Sequence, residues 1–261
     1  MPDLRPVTLV TGASGGIGAE LARVFATHGH ELVLVARRVR QLEALADQLA
    51  AGGKRPHVLA IDLGTADCGD RIAAELLERG IEPEIVVNNA GFGLFGQAAE
   101  LDRAAQSAMV DLNVRTATDL SLRWIDSLKR HRGGILNVAS LGGFLPGPGM
   151  AVYHATKAYL ISFSEALHRE LKDSGVRVTV LCPGPVETEF FAQASMPDGY
   201  FPRRLHRTAG RVAREGYDGL MKGKRLVIPG TDVKVISFLP RLLPRALVVS
   251  LLAAYQRRRG R

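Results

Sequence analysis

The stretch YHATK places a tyrosine and a lysine four residues apart, Tyr153 and Lys157, with small or neutral residues between them. On a helix, this spacing brings both side chains to one face. A phenol can donate a proton to a carbonyl oxygen as negative charge develops there, and a nearby ammonium group can lower the pKa of that phenol. The pair could therefore carry acid–base chemistry, or it could be an ordinary helix surface.

The elements that must position this pair alternate along the chain. Short apolar stretches are separated by segments with helical spacing, including about 67–80, 101–131 and 151–173. This pattern predicts an α/β fold: a doubly wound, mostly parallel, seven-stranded Rossmann-like sheet with helices on both faces. Such sheets bind ligands beyond the carboxyl ends of their strands. The predicted strands are VTLVTG, ELVLVA, HVLAIDL, EIVVNNAG, GGILNVAS, VRVTVLCPG and RLVIPG.

A glycine-rich turn, TGASGGIG, follows the first strand. Glycines permit a tight turn and a close backbone approach to phosphate, and the next helix directs its N-terminal amides at a pyrophosphate. The spacing G-x-x-x-G-x-G differs from the G-x-G-x-x-G fingerprint. Its position between the first strand and the first helix nevertheless predicts a dinucleotide site. The candidate residues are Gly12, Ser14, Gly15, Gly16, Ile17 and Gly18.

Two arginines, Arg37 and Arg38, follow the second strand, where an NAD site usually has an acidic residue for the ribose 2′-hydroxyl. A guanidinium group suits the 2′-phosphate of NADP by charge and by bidentate geometry. The sequence therefore favours NADP(H) over NAD(H), with Arg37 preferred to Arg38. The alternative is a solvated start to the second helix.

Polar residues also follow the third and fourth strands. Asp62, next to Leu63, could hold the adenine amino group or cap the next helix. The stretch NNAG contains Asn89, Ala90 and Gly91, and its amides could line the cofactor cleft or tie strands together. Ser140 follows the fifth strand, where a hydroxyl can donate a hydrogen bond to a carbonyl oxygen.

Together, TGASGGIG, NNAG, Ser140, the Tyr153-x-x-x-Lys157 pair and the step Pro183-Gly184 resemble the short-chain dehydrogenase/reductase family over about residues 5–190. The resemblance implies the catalytic set Asn113, Ser140, Tyr153 and Lys157. It implies that Lys157 also holds the nicotinamide ribose and that Asn113 holds a water that connects Lys157 to solvent. Tyr153 and Lys157 would thus also contact the cofactor, together with Pro183, Gly184, Val186 and Thr188.

These features predict an NADPH-dependent oxidoreductase that reduces a ketone or aldehyde, or catalyses the reverse reaction, with Tyr153 as the acid or base. A cofactor-retaining isomerase or dehydratase of the same fold, or a non-catalytic NADP(H)-sensing protein, are the alternatives. The resemblance also implies a homodimer or homotetramer. The apolar segment that contains Phe190, Phe191, Met196, Tyr200 and Phe201 is a candidate lid. It is compatible with an apolar or extended ketone, but because many enzymes have apolar lids it does not identify the substrate.

Length and composition predict one catalytic domain over 1–231, including a lid at about 189–225, and an apolar, basic extension over 232–261. The net charge of +8 has no accompanying nucleic-acid motif, and the two cysteines match no metal spacing, so neither partner is expected. The N-terminal residues lack a signal-peptide pattern, which predicts a cytoplasmic protein. The extension could dock on a second subunit, lie on an anionic membrane or cover its own domain.

Overall fold

The computed structural model describes residues 4–259, and a sheet of seven strands forms its centre. All strand pairings are parallel, in the order β3-β2-β1-β4-β5-β6-β7. The predicted seven-stranded, doubly wound sheet is confirmed. The strands are β1 (Arg5–Thr11), β2 (Leu32–Ala36), β3 (His57–Ala60), β4 (Ile81–Asn88), β5 (Gly134–Val138), β6 (Arg177–Leu181) and β7 (Leu226–Val227).

Helices cover both faces of the sheet because its strands are apolar on both sides. Every residue of β2 and of β5 is buried. One apolar layer packs under Phe25, Leu42 and Leu220, and the other packs under Ile72 and Leu128. The helices are α1 (Gly16–Thr27), α2 (Val39–Ala50), α3 (Cys68–Glu78), α4 (Arg103–Val110), α5 (Ala117–Arg123), α6 (Ile125–Arg130), α7 (Ala151–Glu170), α8 (Phe190–Gln193), α9 (Ala209–Met221), α10 (Thr231–Phe238) and α11 (Arg245–Arg259).

The strand order reverses at β1, which pairs with β2 on one side and with β4 on the other. The chain segments that leave β1 and β4 therefore lie side by side at the carboxyl edge of the sheet. This topological switch point is where open α/β sheets bind ligands. It brings the glycine-rich turn next to the NNAG segment, although about 75 residues separate them in the sequence.

The single helix expected over about 101–131 is interrupted. A π-helical turn, Asp111–Thr116, separates α4 from α5, and Trp124 leaves helical geometry between α5 and α6, with φ −111° and ψ 22°. Side chains of the π-helical turn bond to backbone outside the helix: the Thr116 hydroxyl donates to the Leu63 carbonyl at 2.7 Å. Such turns often occur at functional sites, and this one carries Asn113.

The segment expected to be a lid at about 189–225 divides into two parts. Residues 190–206 contain α8 and the aromatic side chains. In contrast, α9 is a core helix, because Val212 and Leu220 are fully buried against the sheet. We therefore restrict the candidate lid to residues 190–206.

The C-terminal segment folds back on the protein. The Tyr255 hydroxyl donates to the Tyr200 carbonyl at 2.5 Å, and the Gln256 amide occupies the space that a Cβ at Gly149 would need. Covering its own domain therefore accounts for one face of this segment, while the domain boundary at 231 stays a prediction. Over residues 4–259, we find no helix with the length and apolarity that a membrane span requires.

Candidate active site

Tyr153 and Lys157 lie on the first two turns of α7. The Lys157 side chain is buried, and its Nζ donates a hydrogen bond of 2.9 Å to the Val138 carbonyl at the end of β5. The same nitrogen lies 5.8 Å from the centroid of the Tyr153 ring. The spacing in the sequence thus does bring the phenol and the ammonium group together.

Burial sets the protonation of this pair. It raises the pKa of Tyr153 to about 12, with the interaction of the Ser140 hydroxyl acting in the opposite direction. It lowers the pKa of Lys157 to about 8. We expected Lys157 to lower the pKa of Tyr153, but the pKa of Tyr153 is raised. Desolvation is the largest cause, because it disfavours the charged form of the phenol. The phenol is therefore protonated at neutral pH.

Ser140 joins the end of β5 to the tyrosine. Its Oγ accepts a hydrogen bond of 3.1 Å from the Gly142 amide and caps the 3-10 turn Leu141–Phe144. The Leu141 amide donates to the Pro183 carbonyl at 2.8 Å, so the loops after β5 and β6 are tied together. Ser140 and Tyr153 interact, which places the serine hydroxyl beside the phenol.

Asn113 is buried and clamps the segment after NNAG. Its Nδ2 donates to the Phe92 carbonyl at 2.9 Å, and its Oδ1 accepts from the Phe92 amide at 3.1 Å. A second bond from Nδ2 reaches Thr156 Oγ1 on α7 at 3.1 Å. A Cβ at Gly91 would lie 2.8 Å from the Asn113 Oδ1 and 3.5 Å from the Lys157 Nζ. Asn113 therefore connects the segment after β4 with helix α7.

The glycine-rich turn has the geometry that a pyrophosphate requires. Gly12 and Gly16 have positive φ values of 65° and 55°. A Cβ at Gly18 would overlap the Gly12 carbonyl, so helix α1 approaches the turn closely. Helix α1 begins at Gly16, directly after Ser14 and Gly15, and directs its N-terminal amides at this turn, with Ile17 packed against the core. The turn therefore fits a dinucleotide phosphate.

The two arginines after β2 differ in their surroundings. Arg38 donates from Nε to the Ser14 Oγ and from Nη2 to the Ser14 carbonyl, both at 3.1 Å, and it pairs with Glu189 at 2.6 Å. Arg38 thus lies against the glycine-rich turn. Arg37 is exposed and forms no hydrogen bond or ion pair with the residues that the structure describes. The strand end itself is Ala36, so no carboxylate occupies the position of a 2′-hydroxyl ligand.

Asn89 and Ala90 are bound to the glycine-rich turn through Thr11. The Asn89 Nδ2 donates to the Thr11 carbonyl at 3.0 Å and to the Gly12 carbonyl at 3.3 Å. The Thr11 hydroxyl accepts from the Asn89 and Ala90 amides at 3.0 and 3.1 Å and donates to the Val87 carbonyl. Sequence reasoning missed Thr11, whose only signal was a hydroxyl directly before the first glycine.

The neighbouring Asn88 has a different role. Its Nδ2 donates to Asn137 Oδ1 on β5 and to Ser121 Oγ on α5, both at 2.9 Å. Asn137 in turn donates to the Ser164 hydroxyl on α7 at 2.8 Å. All four side chains are buried. The two alternatives for the NNAG amides thus divide between adjacent residues: Asn88 ties elements together, and Asn89 supports the cofactor turn.

Asp62 does not cap the following helix. Its Oδ1 accepts from the Gly64 amide at 2.9 Å, whereas α3 begins only at Cys68. The Asp62 side chain is exposed beyond β3, and Leu63 is buried beside it. The capping alternative is therefore wrong, and the adenine contact stays a prediction.

The loop after β6 reaches the glycine-rich turn. A Cβ at Gly16 would lie 3.2 Å from the Thr188 Cγ2. Val186 is buried and pairs with Arg207 through a parallel bridge, whereas a Cβ at Gly184 would lie 2.8 Å from the Val233 Cγ2 of α10. The loop Pro183 to Thr188 thus runs from the serine loop to the cofactor turn.

Aromatic residues surround the phenol. The rings of Tyr153 and Phe190 have centroids 5.3 Å apart, and the cluster continues through Phe191 to Phe201. A Cβ at Gly93 would lie 2.8 Å from the Phe190 Cζ and 3.2 Å from the Tyr153 Cδ2. Gly93, which sequence reasoning also missed, therefore allows Phe190 and Tyr153 to pack closely against the backbone. No local pattern marked it, because its neighbours come from α7 and α8.

Comparisons with known proteins identify the family of the chain. The short chain dehydrogenase family model matches residues 6–198. The sulfoacetaldehyde reductase of Chromohalobacter salexigens is 40% identical over 185 residues, which cover 69% of this chain and 72% of that protein.

Two solved structures share the fold over most of their length. A short-chain dehydrogenase from Sphingobium yanoikuyae in complex with NADPH has a TM-score of 0.80 at 31% identity, covering 88% of this chain and 90% of that one. A bulky-bulky ketone specific alcohol dehydrogenase from Comamonas testosteroni has a TM-score of 0.76 at 28% identity, covering 94% of both chains. The chain therefore belongs to the short chain dehydrogenase family and is an oxidoreductase that acts on alcohol or carbonyl substrates.

Proposed function

We propose that this oxidoreductase uses NADPH in preference to NADH to reduce an apolar ketone or aldehyde, with Tyr153 as the proton donor, or catalyses the reverse oxidation. The observation that carries the proposal is that Tyr153 interacts with Ser140 and lies beside the buried Lys157 at the carboxyl edge of the sheet. The glycine-rich turn at the same edge fits the dinucleotide. The relative in complex with NADPH supports the cofactor assignment.

Each side chain has a role in the proton transfer. The nicotinamide supplies the hydride when it is bound. Ser140 donates a hydrogen bond to the substrate carbonyl oxygen and orients it. The Tyr153 phenol, held protonated by burial, transfers its proton to that oxygen as negative charge develops. The proton returns to Tyr153 from solvent through Lys157 and a water held by Asn113.

Lys157 has a second role in holding the cofactor ribose. It lies beside Gly91, the glycine at the end of NNAG, where a side chain would approach its Nζ within 3.5 Å. A donor at this buried position can bind two ribose hydroxyls while it remains bonded to the Val138 carbonyl, since an ammonium group has three donor hydrogens.

The preference for NADPH rests on the charge after β2. Arg37 and Arg38 supply two guanidinium groups where an acidic ligand for a 2′-hydroxyl would otherwise stand. Arg38 is already used by Ser14 and Glu189, whereas Arg37 is exposed. Arg37 is therefore the better candidate for the 2′-phosphate.

The class of substrate follows from the walls of the site. Phe190 packs against the Tyr153 ring, Phe191 packs against Phe190, and Met150 lies close to Gly93 on the same side. Such walls favour an apolar group next to the carbonyl. The ketone substrates in the name of the Comamonas testosteroni relative are compatible with this assignment.

The proposal is tested by following the oxidation of NADPH and of NADH with a panel of ketones and aldehydes of increasing size. We expect turnover with NADPH that falls by a factor of ~10²–10⁴ in Tyr153→Phe. Tyr159→Phe is the matched control, because Tyr159 lies on the same helix but bonds to Thr118 at the surface. Turnover that is equal in Tyr153→Phe and in the native protein would refute the mechanism. Tight NADPH binding without turnover on any carbonyl would indicate a sensing protein instead.

A further inference from the structure

The segment after β7 exposes an apolar stripe. Val235, Phe238, Leu239 and Leu242 follow one another at the i, i+3, i+4, i+7 spacing of a single helix face, along α10 and the 3-10 turn that extends it. Their exposed fractions are 61%, 54%, 51% and 67%. A face with this spacing normally packs against a core. Here it points away from the domain, while Val233 and Ser237 are buried on the other side of α10.

Helix α11 adds to the same surface. Its inner side, with Val248 buried and Tyr255 bonded to Tyr200, rests on the domain. Leu247 and Leu251, one turn apart, are 46% and 56% exposed. A helix that is apolar on more than one side needs a second apolar environment. Packing on its own domain therefore leaves the outer side of α11 without one.

The charge of this segment has one sign. Residues 233–261 contain seven basic residues and no Asp or Glu. Arg241 and Arg245 are exposed between the apolar side chains, and neither pairs with any residue from 4 to 259. The acidic residue just before the segment, Asp232, already forms an ion pair with Arg207. The basic residues are Lys234, Arg241, Arg245, Arg257, Arg258, Arg259 and Arg261.

The combination of apolar and cationic groups on this surface favours an anionic membrane over a second copy of the chain. In a dimer with a two-fold axis, this surface would face the same surface of the second copy. Because it contains arginines and no Asp or Glu, the positive charges of the two copies would repel each other. An anionic bilayer instead supplies an apolar boundary and negative headgroups together. Pro240 and Pro244 divide the segment into short pieces, which suit a position in the plane of the interface.

We propose that the outer surface of residues 235–251 docks on an anionic membrane surface. Its apolar side chains enter the headgroup boundary, and Arg241 and Arg245 bind the phosphate groups of the lipids. The segment lies on the bilayer and does not cross it. This surface is separate from Tyr153 and the cofactor turn, so the proposal stands or falls independently of the proposed reaction.

The test is cosedimentation of the full-length protein with phosphatidylcholine vesicles that contain or lack phosphatidylglycerol. We expect binding to the anionic vesicles that weakens as salt is added. Leu242→Asp should reduce binding by more than tenfold, and Arg241→Gln by about fivefold, since each basic residue near the surface contributes ~1 kcal/mol. Leu77→Asp, at a leucine that is 64% exposed on α3, and Arg169→Gln, at an exposed arginine of α7, are the matched controls.

Circular dichroism and turnover of a water-soluble substrate should be the same in all four variants, because the altered side chains are exposed. Equal binding of Leu242→Asp and Leu77→Asp would overturn the proposal, as would equal binding to neutral and anionic vesicles. The native protein could instead fail to bind vesicles, while the Leu242→Asp variant has a lower molar mass in solution than the native protein. In that case a second copy covers this surface and the proposal is wrong.

Discussion

The Lys157 ammonium nitrogen lies 5.8 Å from the centroid of the Tyr153 ring. Burial raises the pKa of Tyr153 and lowers the pKa of Lys157, because it disfavours the charged form of each group. The phenol therefore stays protonated over the whole range in which the lysine titrates. Proton donation to a carbonyl needs this form of tyrosine, and binding of ribose hydroxyls is strongest with a charged lysine. These protonation states support the proposed carbonyl reduction at neutral pH.

The pH dependence of reduction follows from these two values. The pKa of Lys157 is lowered to about 8, so its charge is present below that pH and is lost above it, whereas the Tyr153 pKa of about 12 lies outside the range of assay. We expect kcat/KM for reduction to be constant at neutral pH and to fall as pH rises through about 8. The measurement is a pH profile of kcat/KM with a substrate that does not titrate. A profile that stays level well above this pH would contradict the assignment.

Substitutions of the two arginines after β2 should have different effects on the KM values for NADPH and NADH. Arg37→Ala removes an unpaired charge and should raise the KM for NADPH on the order of tenfold or more, with little effect on NADH. Arg38→Ala also releases Ser14 and the glycine-rich turn, so it should raise the KM for both cofactors. Steady-state kinetics with each cofactor check both outcomes. Equal effects of Arg37→Ala on the two cofactors would show that Arg37 does not bind the 2′-phosphate.

The adjacent amides Asn88 and Asn89 should affect different properties. Asn88→Ala removes donors to Asn137 and Ser121 inside the fold, and we expect the free energy of unfolding to fall by ~1–3 kcal/mol. Asn89→Ala frees the Thr11–Gly12 backbone and should mainly raise the dissociation constant for the dinucleotide. Urea unfolding and cofactor titration on both variants provide the comparison, and each variant serves as the control for the other. Identical effects of the two changes on both measurements would contradict this division.

Gly93 should control the size of the substrate. In Gly93→Ala, the new methyl group meets the Phe190 Cζ at 2.8 Å, so the wall in front of Tyr153 must move. We expect kcat/KM to fall for bulky ketones and to change little for small aldehydes. Adding Phe190→Ala in the same chain should restore part of the loss, because it removes the clashing atom. The measurement is kcat/KM for a size series with the two single variants and the double variant. Additive losses would exclude a shared wall.

The sequence by itself determined the sheet and the order of the motifs at its edge. Parallel strands end at one edge, so residues that follow successive strands must converge, and TGASGGIG, NNAG, Ser140 and Tyr153 could be read in that order. The helical spacing of Tyr153 and Lys157 was likewise sufficient to predict that the two groups meet. These features depend on local periodicity and chain direction, which a single sequence contains.

Only the tertiary structure decided the burial and the neighbours of these groups. The direction of the Tyr153 pKa depends on desolvation by distant elements, and the roles of Thr11, Asn88 and Gly93 depend on neighbours from other strands and helices. The same is true of the C-terminal segment, in which apolar residues alternate with basic ones along the chain. Its packing buries Val248 and exposes Leu242, because the domain covers only one side of it. Burial and charge are properties of a three-dimensional environment, and residues far apart in the chain supply that environment.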